Sequence, residues 1–272
     1  MRADRPIGTF LLLWPTLTAL TIAGSGKIEI HLLIIFCIGT FLMRSAGCVI
    51  NDYFDQDIDK KVYRTNKRPM AAGSVSNFEA LFLFTFLLSL SALLLIFLNL
   101  LSFLIASSLL MLVIFYPLAK RIMNVPQIIL GIVFSGGILM AFSASANELP
   151  LIAFVLMFAN FCWIFSYDTA YAMTDRDDDK FLNIGNSSNF FKGNEKLVIW
   201  LGSLINFFLL FVTGLNENIN SYFYIFSILN GFFLIYSINM IDKNKTDSFF
   251  NFFKKNNYIG ALIFISFFTG LN

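Results

Sequence analysis

Two stretches of this chain crowd carboxylates at spacings that suit metal chemistry. In the first, Asn51-Asp52-Tyr53-Phe54-Asp55-Gln56-Asp57-Ile58-Asp59, the residues Asn51, Asp55 and Asp59 recur every fourth position. On a continuous helix they form one stripe of oxygen ligands. Such a stripe suits a hard divalent ion such as Mg²⁺, held by one or two carboxylates plus substrate phosphate oxygens. A solvated helix end is the plainer reading, but acids spaced this closely repel one another unless a cation neutralises them. In the second stretch Asp168, Asp175 and Asp179 are seven and four residues apart, so a helix would set all three on one face. Two facing stripes would hold more than one ion.

Basic residues stand beside these acids. Arg64 and Arg68 follow the first stripe, and Lys120 with Arg121 closes another polar segment. Alone they read as membrane-interface anchors. Next to carboxylate stripes they become anion receptors, because a departing polyphosphate needs metal to bridge it and cations to absorb its charge. The substrate expected on these grounds is a diphosphate. The single histidine, His31, lies far from both acidic segments, and no Gly-rich phosphate loop or dinucleotide fingerprint is present, so nucleophilic-triad and nucleotide chemistry are not indicated.

The elements that must position these groups are membrane helices. Of 272 residues 57% are apolar and 13% charged, with 34 Phe, more apolar surface than one soluble core can hide. Runs near the length of about 20 residues needed to cross a bilayer cover 6–23, 31–50, 78–98, 101–118, 126–146, 150–171, 196–215, 219–240 and a shorter 258–271. The expected fold is therefore all-α, a polytopic protein of nine transmembrane helices in a single domain over 1–272. With the N-terminus inside, 17 of the 19 Lys and Arg fall in inner segments, leaving Lys27 outside and Arg44 within the second helix. That bias sets the orientation, placing both acidic segments at the cytoplasmic face and the C-terminus outside. Asp168 then lies at membrane depth, where an ionisable group defaults to a functional hypothesis; pairing with Arg44 is the structural alternative.

The chain resembles the UbiA-type intramembrane prenyltransferases, within them the branch that prenylates 4-hydroxybenzoate. The likeness rests on Asp4-Arg5-Pro6-Ile7-Gly8-Thr9 with Leu11-Leu12-Leu13-Trp14-Pro15-Thr16, and on Arg44 to Asp52 running into Asp55 and Asp59. Arg64-Thr65, Arg68-Pro69, Tyr116-Pro117 with Lys120-Arg121, Pro126-Gln127, and Tyr167-Asp168-Thr169 with Tyr171-Ala172 and Asp175 carry the rest. It implies nine helices around a central cavity, Mg²⁺ as cofactor, and transfer of a polyprenyl group from its diphosphate to the ring of 4-hydroxybenzoate in ubiquinone biosynthesis, in a bacterial inner membrane. It further implies that Asn51, Asp55, Asp59, Asp175 and Asp179 bind metal and that Arg64, Arg68 and Lys120 contact diphosphate. By the same likeness Arg44 and Tyr116 line the cavity, Arg121 receives the acceptor's carboxylate, and Asp168 belongs to the substrate site with no assigned role. Catalysis would then rest on Asp55, Asp59, Asp175, Asp179 and Lys120.

Two stretches depart from that family. Where an Ile-Gly-Ile-Lys-Ser-like segment is expected, this chain reads Asn183-Ile184-Gly185-Asn186-Ser187-Ser188, without the lysine, so Lys180 or Lys192 becomes the candidate replacement. A Gly-Trp-Gly-like segment appears as Ser135-Gly136-Gly137, removing an aromatic wall. Alternatives from the same residues are a sister enzyme with another aromatic or haem acceptor, and an ion-coupled transporter marked by Asp168 and Arg44.

Overall fold

The computed structural model describes residues 4, 6–182, 184–217 and 219–272. Arg2 and Arg5, both counted among the inner basic residues, and Asn183 lie outside the described residues. Nine long helices run in order among the described residues: α1 (Ile7–Ala23), α2 (Ile30–Asp59), α3 (Asn77–Leu95), α4 (Leu100–Ile122), α5 (Gln127–Ala146), α6 (Leu151–Ala172), α9 (Glu195–Asn216), α10 (Ser221–Asn239) and α11 (Thr246–Leu271). Two short helices, α7 (Arg176–Phe181) and α8 (Ser187–Phe190), lie between α6 and α9. Seven are long and apolar enough to span a bilayer, while α1 is apolar but only 17 residues long. Helix α11 begins at Thr246, twelve residues ahead of the apolar run that starts at Tyr258, because its polar first half packs Phe249, Phe252 and Asn256 into the bundle.

Local chemistry fixes where the helices begin. Ser76 and Glu79 form a reciprocal capping box at α3, which satisfies two amide groups that a helix start leaves without partners. Asn99 accepts from the Ser102 amide at 2.8 Å and starts α4, so a tight turn joins the third run to the fourth. Asn220 caps α10 in the same way.

The main core gathers α1, α5, α6, α9, α10 and α11 around Trp163 and Tyr167, and a smaller one joins α2 to α3 through Leu42, Ala46, Val49 and Phe84. Large apolar side chains such as Phe82, Phe86, Phe208 and Phe232 face outward, as expected for lipid contact. Inside, polar groups pair across helices: Ser166 with Ser203 at 2.8 Å, Ser102 with Ser143 at 2.7 Å, and the Trp163 indole N–H donating to Asn256 at 2.7 Å. In lipid these pairings matter because no water is present to satisfy a polar group left over.

One expectation is corrected. The second carboxylate stripe is not a continuous helical face, because α6 stops at Ala172 and Asp175 sits in the turn before α7. Thr174 closes that turn by donating to the Tyr171 carbonyl at 2.7 Å. The break swings Asp175 toward Arg64, as described next.

Candidate active site

Helix α2 runs unbroken through the first acidic segment to Asp59, giving Asn51, Asp55 and Asp59 the common face that their spacing predicts. Asp52, Asp55 and Asp59 are all buried. Buried carboxylates need partners, and each has one. Lys120, in the last turn of α4, donates to Asn51 Oδ1 at 2.7 Å and to Asp55 Oδ2 at 3.0 Å, while Asn51 Nδ2 donates to the same Asp55 oxygen at 2.9 Å. The Lys120 ammonium also rests 4.9 Å from the centre of the Tyr116 ring. One turn further along α2, Arg68 Nη1 reaches Asp59 at 2.7 Å and Asp52 at 3.3 Å.

Arg64 joins the two acidic segments. From the loop after α2 it grips Asp175 with a two-point fork, Nε to Oδ1 at 2.7 Å and Nη2 to Oδ2 at 2.5 Å, the geometry that makes guanidinium–carboxylate pairs specific. Its remaining Nη1 donates to the Tyr171 hydroxyl at 2.9 Å. Partial burial opposes its charge, but Tyr171 and Asp175 outweigh that and leave Arg64 holding its proton more tightly than a free arginine.

Asp179 completes the group. It accepts from Asn186 Nδ2 at 2.5 Å, and Asn186 also donates to the Ala172 carbonyl at 3.2 Å. Burial pushes the Asp179 carboxyl up to about 6, with Asn186, Lys120 and Arg64 pulling the other way and Asp175 adding to the rise. Lys120 thus lies in the field of Asp55 and Asp179 together, so both acidic segments face one locus. The segment 184–188 straps this locus to α4: Gly185 N–H donates to the Lys120 carbonyl at 2.9 Å. A Cβ on Gly185 would collide with the Met123 carbonyl oxygen, so only glycine allows that approach.

Other expected residues fall around this centre. Arg44 lies deeper on α2, its guanidinium carbon 5.5 Å from the Phe134 ring centre and its nitrogens against Gly8. Asp168 lies on α6 in the field of Lys120 and Arg44, with the Gln127 amide as its hydrogen-bond partner. The alternative reading, an ion pair of Arg44 with Asp168, does not occur among the ion pairs of the described residues. Arg121 is exposed and donates to the Phe54 carbonyl at 2.8 Å, outside the cluster. Lys180 and Lys192 are exposed; the group on Asp179 is Asn186. At the altered fifth-helix stretch, an added Cβ on Gly136 would collide with Leu109, so an aliphatic side chain from α4 packs directly on that glycine.

Sequence reasoning missed Gln127, Asn186 and Tyr171 as members of the site. Neutral amides and a phenol carry no charge pattern to find them by, and Asn186 is placed by a strap whose path depends on one glycine.

The donor set fits a hard divalent cation. Every candidate ligand is an amide or carboxylate oxygen, and two of those on α2, Asn51 and Asp55, already accept from a cation, the Lys120 ammonium. Among the described residues no three acidic, His or Cys groups close into a cage, so an ion bound here would need further oxygen ligands from water or an anionic substrate.

The pattern of the UbiA prenyltransferase family matches residues 12–267. A 4-hydroxybenzoate octaprenyltransferase of Psychromonas ingrahamii is 42% identical over 271 residues, covering 99% of this chain and 94% of that protein. One from Yersinia pseudotuberculosis is 40% identical over 265 residues, covering 97% and 92%. Among solved structures, the apo UbiA homologue of Aeropyrum pernix superposes with a TM-score of 0.82 at 20% identity, covering 96% of this chain and 97% of that one. The Archaeoglobus fulgidus homologue bound to GPP and Mg²⁺ gives 0.72 at 18% identity, covering 97% and 96%. With a family match across almost its whole length and relatives this similar, the chain belongs to the UbiA prenyltransferase family.

Proposed function

We propose that this protein transfers a polyprenyl group from polyprenyl diphosphate to the ring of 4-hydroxybenzoate, releasing diphosphate, as a step of ubiquinone biosynthesis. The observation that carries the reading is the convergence of two acidic segments and three cations, Lys120, Arg64 and Arg68, at one end of an apolar helical bundle. Relatives at 40–42% identity that bear the name 4-hydroxybenzoate octaprenyltransferase support the choice of acceptor.

Asn51, Asp55 and Asp59 on one side, and Asp175 and Asp179 on the other, would hold Mg²⁺. The bound ions would neutralise the diphosphate and make it a better leaving group. Lys120, Arg64 and Arg68 take up the negative charge that grows on the diphosphate as its bond to the allylic carbon breaks. For that, each cation turns from the carboxylate it now neutralises toward the substrate. Tyr116 holds its ring 4.9 Å from the Lys120 ammonium, and the electron-poor allylic carbon would meet the phenol ring in the bundle interior, where water is excluded. Arg44, already inside, is the cation best placed for the acceptor's carboxylate; Arg121 reaches it only by releasing the Phe54 carbonyl.

The protein would sit as a multi-pass protein in the bacterial inner membrane with its basic loops, and hence this site, at the cytoplasmic face. The test is an acceptor panel: purified full-length protein in nanodiscs, with Mg²⁺ and polyprenyl diphosphates of several lengths, given 4-hydroxybenzoate, homogentisate, a naphthoate and haem. Ring-prenylated 4-hydroxybenzoate as the main product is the expected result. Preference for any other acceptor overturns the assignment.

A further inference from the structure

The carboxylates at the diphosphate end are matched by cations. Asp55 lies against Lys120, Asp59 and Asp52 against Arg68, and Asp175 against Arg64. Asp179 takes an amide but stands beside the others as a metal ligand. Asp168 differs in both respects. It sits one turn inside the end of α6, which stops at Ala172, about 6 Å deeper along the helix axis than that end. Its hydrogen-bond partner is the neutral amide of Gln127.

That amide is itself held. Gln127 opens α5 and is 5% exposed. Its oxygen accepts from the Ser187 amide at 3.2 Å, which leaves its NH₂ for Asp168. The Ser187 hydroxyl in turn donates to Thr169 at 3.0 Å, on the helix that carries Asp168. The strap of residues 184–188 therefore fixes one edge of this carboxylate through Gln127. Around it stand Arg44 from α2, Tyr116 and Lys120 from α4, and Tyr167 from α6, whose buried hydroxyl has no partner. A carboxylate at this depth is costly. A carboxylate held on one edge by a neutral amide, with Lys120 and Arg44 nearby but no ion pair of its own among the described residues, suits a substrate O–H.

We propose that Asp168 is the catalytic base that accepts the phenolic proton of the acceptor, with Gln127 as its positioning residue. The inference rests on the reading above, that the acceptor is a phenol. As the ring carbon beside the hydroxyl bonds to the allylic carbon, the bond from that carbon to the diphosphate oxygen breaks and its electron pair leaves with the diphosphate. The phenolic proton passes to Asp168, so the first product is a neutral dienone rather than a charged ring. The ring C–H proton is then lost to the departed diphosphate, the oxygen recovers its proton from Asp168, and aromaticity returns.

The test compares full-length wild type, Asp168→Asn and Asp168→Glu in nanodiscs with Mg²⁺ and one polyprenyl diphosphate, using 4-hydroxybenzoate and its more acidic 3-fluoro and 3-chloro derivatives. Asp168→Asn should lower kcat with 4-hydroxybenzoate roughly 100-fold, the usual scale for loss of a base, with KM for the donor unchanged. The deficit should shrink steadily as the phenol becomes more acidic. Asp168→Glu, which keeps a carboxylate, should be slower than wild type but follow its dependence on acceptor acidity. Gln127→Leu should do the same, and it provides a second reading should Asp168→Asn not fold. A constant ratio of Asp168→Asn to wild type across the three phenols, or a flattened dependence in Asp168→Glu and Gln127→Leu, overturns the proposal. Wild type that does not prenylate 4-hydroxybenzoate at all is a separate outcome that removes the assigned function itself.

Discussion

Lys120 shows how one side chain serves two demands. Its ammonium sits between Asn51 and Asp55, where an incoming metal ion must compete with it. Replacing it with methionine should therefore abolish turnover yet leave Mn²⁺ binding in the absence of donor as tight as in wild type or tighter. A spin-resonance titration of free Mn²⁺ checks this, and weaker binding would contradict it. Arg64 makes a different demand. Arg64→Lys keeps the charge but loses the two-point fork on Asp175 and the bond to Tyr171, so KM for the donor should rise at least as much as kcat falls in steady-state assays.

Asp179 sets a dependence on pH. Its carboxyl is raised to about 6, chiefly by burial, so the metal-free fold favours the protonated form. The sign follows from linkage: a group whose folded pKa lies above its unfolded value stabilises the fold at low pH and loses that contribution as pH rises through about 6. Without metal, Asp179→Asn should match wild-type thermal stability near pH 4 and exceed it above pH 7. Divalent-ion affinity should fall as pH drops below about 6, since the ion must then displace a proton, and Asp179→Asn should remove that dependence. Isothermal titration at pH 5 and pH 7.5 measures it.

At the scale of elements, the first acidic segment was legible because it lies on a helix. Fourth-residue spacing becomes a shared face only if α2 continues past the membrane boundary, and it does. The second segment was legible in composition but not in path. Its spacing predicts one face, whereas α6 ends at Ala172 and the chain turns, because Arg64 and the 184–188 strap offer Asp175 and Asp179 partners that a straight helix would carry them past. Long-range contacts of this kind leave no periodic mark. Gly185 is where the strap depends on a single atom. Gly185→Ala forces a methyl group onto the Met123 carbonyl and should cost about 0.5–3 kcal/mol, read as a lower Tm in nanodiscs, together with loss of activity at temperatures where the variant remains folded. An unchanged Tm would mean that the strap does not bear on α4.

For the whole molecule, the helix pattern and the bias of Lys and Arg were readable from residue types alone, since the bilayer demands long apolar runs and holds basic loops inside. What composition hid is α11, whose polar first half looked like loop because Lys254, Lys255, Asn256 and Asn257 interrupt its apolar run. Those asparagines receive the indole N–H groups of Trp163 and Trp14, so the polarity is spent inside the bundle. The orientation makes its own prediction. Single cysteines placed at Lys61 and Lys243 should react with an impermeant maleimide only from the cytoplasmic side, and one at Lys27 only from the opposite side.

The central claim is that α2 and the α6–α7 turn build one diphosphate site between them. The most direct measurement is Mg²⁺-dependent binding of a non-reactive polyprenyl thiolodiphosphate to the purified full-length protein, for wild type, Asp55→Ala, Asp175→Ala and the double variant. A shared site predicts that either single substitution removes the Mg²⁺-dependent part of binding and that the second adds little. Losses that simply add, or Mg²⁺-dependent binding that survives either change, would contradict the account.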